Sequence, residues 1–80
     1  MKVTVVVRPK DGILDPQGAA IDRSLQGMGY PSRGVRAGKV FDLDLDAPDA
    51  AAAESAAREV AERVLTNPMI ESFEVVVHGA

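Results

Sequence analysis

"GVRAGKVFDLDLD", residues 34–46, is the stretch on which the fold turns. Phe41, Leu43 and Leu45 alternate with Asp42, Asp44 and Asp46. That is a period of two, with one apolar and one acidic face, and it predicts a strand. The whole stretch reads as one long strand. Carrying the parity backwards places Lys39 on the apolar side, where a charge needs a partner. Gly38 offers a bulge that would re-aim Lys39 and bend the strand.

Working upstream, a helix is expected from about Pro16 to Met28. Asp15 is a good N-cap, because its carboxylate accepts from the free N–H groups of the first turn. Pro16 suits the first helical position, where its missing N–H costs nothing. Ile21, Leu25 and Met28 recur at helical spacing, and Gly29 with Pro31 ends the element. Gly18 breaks the pattern, since glycine inside a helix costs up to ~1 kcal/mol relative to alanine. Further upstream "KVTVVVR", Lys2–Arg8, is rich in β-branched residues and predicts a first strand, with Val3, Val5 and Val7 on one side. "PKDGIL" is the loop between them.

Downstream, "APDAAAAESAAREVAERVLTNP" predicts a second helix from about Pro48 to Leu65 or Thr66. Its apolar seam is Ala53, Ala57, Val60 and Val64, widened by Ala56, Ala61 and Leu65. Asn67 and Pro68 stop it. "MIESFEVVVH" is a third strand, with Phe73, Val75 and Val77 on one face and Glu74, Val76 and His78 on the other. The order β-α-β-α-β predicts a two-layer α/β (α+β) domain spanning residues 1–80, with two helices on one face of a three-stranded sheet. Val6 and Val76 then lie on the other face. Exposed valines and free sheet edges invite a second chain, so the sheet is expected to support a homo-oligomer, dimer or tetramer.

The 80 residues carry a net charge of −3, unevenly spread: +4 over residues 1–40 and −7 over residues 41–80. A larger acidic half argues against a nucleic-acid binder, and the asymmetry can orient two partners. There is no cysteine, hence no disulfide and no thiolate nucleophile. The apolar run near the start is too short for a membrane span or a signal peptide. These readings predict a cytoplasmic protein that binds neither nucleic acid nor membrane. The single histidine, His78, has no nucleophile motif beside it. Asp42, Asp44 and Asp46 stand ~6.6–6.8 Å apart along a strand, too far to chelate one ion together. "RGVRAGK" lacks the spacing of a phosphate-binding loop. Arg33, Arg36 and Lys39 serve equally well as a grip for a carboxylate or phosphate, or as edge charge that deters aggregation.

Four motifs carry a resemblance along the whole chain: Leu14-Asp15-Pro16-Gln17-Gly18, Gly29-Tyr30, Val35-Arg36-Ala37-Gly38-Lys39, and Leu65-Thr66-Asn67-Pro68-Met69-Ile70-Glu71. In their order and spacing they resemble the PurS family, the small subunit of formylglycinamide ribonucleotide amidotransferase (phosphoribosylformylglycinamidine synthase). The chain departs from that family's pattern at Ala19 and Val40, so no partner contact is carried onto either. The resemblance implies a subunit without activity of its own, bridging a glutaminase and a synthetase subunit in purine biosynthesis and supporting ammonia transfer. It implies no cofactor bound by this chain, ATP and Mg being used by the complex. The implied partner and interface candidates are Asp15, Pro16, Gly18, Tyr30, Arg36, Gly38, Lys39, Asn67 and Pro68, joined by Val76 from the open face. Gly18 would then admit either a partner's backbone at a helix N-terminus or tight packing within the protein, the latter preferred. The competing reading is a ferredoxin-like regulatory module that binds a small molecule. Such modules have four strands where three are counted here. A tautomerase-like enzyme needs proline at position 2, which is Lys2.

Overall fold

In the computed structural model, which describes residues 1–79, the elements follow as β1 (Lys2–Pro9), α1 (Pro16–Gly27), β2 (Lys39–Asp44), α2 (Ala50–Val60) and β3 (Glu71–Val77). The sheet order is β2-β1-β3 with both pairings antiparallel. β1 is central because its valine-rich run can be covered from both sides of the ladder. Val5 pairs with Phe41 on one side and Val75 on the other, and Val3 pairs with Leu43 and Val77. The inward faces of all three strands match the expected parity. The fourth strand of a ferredoxin-like module has no counterpart among the described residues.

The core is thin. Val3, Val5 and Val7 of β1 are fully buried against Ala53, Ala57 and Ala61. Alanine at every fourth position gives α2 a flat stripe, which lets its backbone come close to β1 and β3. The alanine-rich sequence is therefore a packing device. α2 starts at Ala50 rather than Pro48, because Asp49 takes the N-cap and accepts from Ala52 N–H at 2.8 Å. Past Val60 the chain widens into a π-type turn, Ala61–Leu65. It closes where the Thr66 backbone N–H and hydroxyl both donate to the Ala61 carbonyl. The wider turn carries Val64 out of the expected seam, leaving it 75% exposed.

The second strand is shorter than residues 34–46. Its first five residues leave the ladder because they are committed to α1, as described below. No bulge re-aims Lys39. The pairing with β1 stays regular down to Lys39 opposite Val7, and Lys39 remains on the inward side. It is tolerated there because it sits at the end of the sheet, 61% exposed, with Nζ 3.9 Å from a Glu71 carboxylate oxygen.

The two helices do not share the cover equally. α2 lies over β3 and β1, while no residue of α1 belongs to the core or packs against it. The molecule measures 50 × 26 × 14 Å with a radius of gyration of 15.8 Å. A compact chain of this length has about 12 Å. The long axis is close to that of an eight-residue strand (~27 Å) and a twelve-residue helix (~18 Å) laid end to end. Among the described residues no helix is long and apolar enough to cross a membrane.

Candidate interaction site

α1 is fastened at its N-terminus. Asp15 caps it, accepting from Gly18 N–H at 2.9 Å through Oδ1. Its other oxygen accepts from Ala37 N–H at 2.7 Å. One carboxylate thus joins the first turn of α1 to the segment that leads into β2. These two backbone hydrogen bonds, helped by the Arg36 charge, hold the Asp15 carboxyl below the ordinary aspartate value. Gly18 lies beneath that segment. A Cβ there would overlap the Val35 carbonyl oxygen and the Asp15 carboxylate. The glycine in the first turn is required by packing within the chain. Pro16 occupies the expected first position of the helix. At the other end Tyr30 N–H donates to the Leu25 carbonyl and Gly29 N–H to that of Gln26. With Gly29 at φ +89° this is a Schellman stop.

Gly38 has a related duty, since a Cβ there would overlap the Val7 carbonyl oxygen. On either side of it the two cations are already engaged. Arg36 reaches Asp11 at 3.1 Å, and Lys39 reaches Glu71. Glu71 in turn accepts from Asn67 N–H at 2.8 Å. Asn67 shapes the turn, its side-chain oxygen accepting from Met69 N–H and its carbonyl from Ile70 and Glu71 N–H. Lys10 closes the assembly, donating from Nζ to the Pro68 carbonyl at 2.6 Å and from its backbone to that of Ile70.

Three segments therefore meet at one end of the sheet, bringing together Asp15, Pro16, Gly18, Arg36, Gly38, Lys39, Asn67 and Pro68. Leu14 and Met69 are each 82% exposed in these segments, with Ile13 and Ile70 partly so. These exposed apolar side chains stand in the same three segments as the cations Lys10, Arg36 and Lys39. Tyr30 lies apart, exposed beyond the far end of α1. Val76 lies apart too, on the outer sheet face with Val40, both exposed. There Thr4 donates its hydroxyl to Asp42 at 2.7 Å and lies 2.7 Å from His78 Nε2.

Lys10, Asp11 and Glu71 are the members of this junction that the sequence reading did not select. Glu71 carried a signal: its parity with Phe73 and Val75 places a carboxylate on the inward face. Among the described residues no cluster of three potential metal ligands and no pocket is present. The arrangement is one of surface groups paired within the chain, beside exposed apolar side chains.

Comparison with known proteins covers nearly the whole chain. The family profile PurS, Phosphoribosylformylglycinamidine (FGAM) synthase, matches residues 2–79. The phosphoribosylformylglycinamidine synthase subunit PurS of Synechocystis sp. is 37% identical over 73 residues, covering 90% of this chain and 71% of that one. The crystal structure of Methanocaldococcus jannaschii PurS, a subunit of formylglycinamide ribonucleotide amidotransferase, superposes with a TM-score of 0.87 at 28% identity, over 99% and 96% of the two chains. A chain in the structure of PurLQS from Thermotoga maritima superposes with a TM-score of 0.85 at 30% identity, over 94% and 93%.

Proposed function

The chain belongs to the PurS family, and from that membership we propose that it is the non-catalytic small subunit of a cytoplasmic phosphoribosylformylglycinamidine synthase complex in purine biosynthesis. In this reading it works as a homo-oligomer that bridges the synthetase and glutaminase subunits and supports ammonia transfer between them. ATP and Mg serve the complex, and the small subunit contributes surfaces. The observation that carries the reading is the gathering of three of the family's four motifs at one junction, where paired groups and exposed apolar side chains offer a contact surface. The neighbour found within PurLQS supports it.

The test is reconstitution with the synthetase and glutaminase subunits. Glutamine-dependent formation of the amidine is expected only when all three are present. The small subunit alone is expected to hydrolyse neither glutamine nor ATP. Full glutamine-dependent activity from the other two subunits without this chain would overturn the proposal.

A further inference from the structure

An exposed apolar side chain decides nothing by itself. Met69 is 82% exposed, and so is Leu14. What sets Met69 apart is the backbone that carries it. Every backbone N–H from Asn67 to Glu71 has an acceptor within the chain. That of Asn67 donates to Glu71 Oε1 at 2.8 Å. That of Met69 donates to Asn67 Oδ1 at 3.1 Å. Those of Ile70 and Glu71 both donate to the Asn67 carbonyl. Pro68 has no N–H to place, and its ring fixes φ. From outside the turn, Lys10 holds the Pro68 carbonyl through Nζ and the Ile70 carbonyl through its backbone N–H. None of residues 67–70 belongs to the core or packs against it. This bonding therefore does nothing for the core. It fixes the point from which an apolar side chain projects into solvent.

We propose that residues 67–70 form a pre-organised knob, and that Met69 enters an apolar socket with an acidic rim on the synthetase subunit. The inference rests on the bridging reading above and names the contact. A backbone already fixed has little freedom left to lose on docking, so more of the contact energy remains as affinity. Methionine suits the role, because its unbranched, polarisable thioether fits sockets of irregular shape. A few such anchors, seated in pockets, carry most of the energy of an interface.

Charge identifies the rim. Asp15 spends both oxygens on backbone N–H groups. Glu71 gives one oxygen to Asn67, and its side chain is only 18% exposed. Asp11 offsets Arg36. Lys39 is 61% exposed, and the Lys10 ammonium rests against a neutral carbonyl beside the knob. Positive charge thus faces outward where negative charge is drawn in, and its complement is an acidic surface.

The experiment uses hydrogen peroxide as a footprinting probe. Peroxide gives one oxygen atom to the thioether sulfur, which becomes the sulfoxide, and leaves as water. Mass spectrometry follows the oxidation of Met69 in the small subunit alone, with the synthetase subunit and with the glutaminase subunit. Met69 is expected to react readily in the free chain and several-fold more slowly with the synthetase, but not with the glutaminase. Calorimetry of the small subunit with the synthetase supplies the second measurement. Met69→Gln should weaken that binding about tenfold or more, while Met69→Leu keeps it. Asn67→Ala, which leaves the anchor and frees the turn, should weaken it several-fold. Circular dichroism checks that each variant is folded. Wild type that does not bind the synthetase at all would remove the bridging reading. Binding that leaves Met69 as reactive as in the free chain would overturn the inference alone. So would protection by the glutaminase only, a Met69 already shielded in the free chain, or a Met69→Gln chain that binds as the wild type does. Wild-type affinity in Asn67→Ala would reject the pre-organised turn.

Discussion

Gly18 shows how one residue ties the local helix to the whole junction. Its missing side chain lets Val35 cross the first turn of α1, and the atoms a Cβ would meet include backbone, which cannot swing aside. Gly18→Ala gains helix propensity of up to ~1 kcal/mol but forces the crossing apart, at about 1–3 kcal/mol by analogy with overpacked sites. The expected net effect is a lower melting temperature, at roughly 4–8 °C per kcal/mol in a domain this small. An unchanged or higher value by circular dichroism would mean that the segment does not cross there. Asp15 gives a second residue-scale expectation, in pH. Its folded-state pKa is lowered, first by the Gly18 and Ala37 N–H groups and then by Arg36. A carboxylate lowered on folding stabilises above its unfolded pKa and loses that contribution as the pH falls through the folded value. The wild type should therefore melt above Asp15→Asn at neutral pH, and the gap should close below about pH 4. A gap that stays constant to pH 3 would deny the carboxylate this role. The cap itself was legible in "LDPQG", since Asp followed by Pro is a local signal. The partner of its second oxygen was not, because Ala37 stands 22 residues away and nothing in its own side chain announces the contact.

At the scale of elements, periodicity read the faces correctly wherever the backbone stayed regular. All inward positions of the three strands follow from alternation, and Ala53 and Ala57 follow from helical spacing. The reading parted from the structure where a long-range demand changed the backbone. Residues 34–38 have strand-like alternation, yet they serve α1 and leave the ladder. Val64 has helical spacing, yet a π-type turn swings it into water. This difference yields a paired expectation. Ala57→Leu drives α2 away from β1 and should cost about 1–3 kcal/mol. Val64→Ser, at an equally regular place in the sequence pattern, should stay within about 0.5 kcal/mol of wild type. Urea unfolding midpoints compare the two. Equal losses would place Val64 in the seam after all and remove the π-type turn.

For the whole molecule, the question is what an elongated chain with a thin core gains from its shape. Burying so little leaves more surface than a monomer of this mass needs, and that surface carries three of the family's four motifs at one end and valines on the outer sheet face. The sequence pointed to unmet surface through Val6 and Val76. It did not point to the detachment of α1, which depends on the Asp15 carboxylate accepting from a backbone N–H 22 residues away. Arg36 and Lys39 give the prediction that separates a docking end from a decorated edge. Both are about half-exposed or more, and both already hold a carboxylate of their own chain, Asp11 and Glu71. Exposed pairs of this kind contribute ~0–1 kcal/mol, so the double variant Arg36→Ala/Lys39→Ala should fold and melt nearly as the wild type does. Against an acidic surface of the synthetase subunit the same cations act across a desolvated interface, where charge contributes more and guides encounter. The reconstituted complex built on the double variant should then lose most glutamine-dependent activity at physiological salt. Each single variant should lose activity at lower salt than the wild type, because partly exposed charge contacts are screened within about 8–10 Å under those conditions. A salt series of ammonia-transfer activity reads this directly. If the double variant tracks the wild type across the series, Arg36 and Lys39 are edge charges and the synthetase docks elsewhere, with the outer face around Val76 the next surface to vary. There Val76→Asp should reduce assembly of the complex more than Glu74→Ala does, because Glu74 gives up only an exposed pair with Arg8.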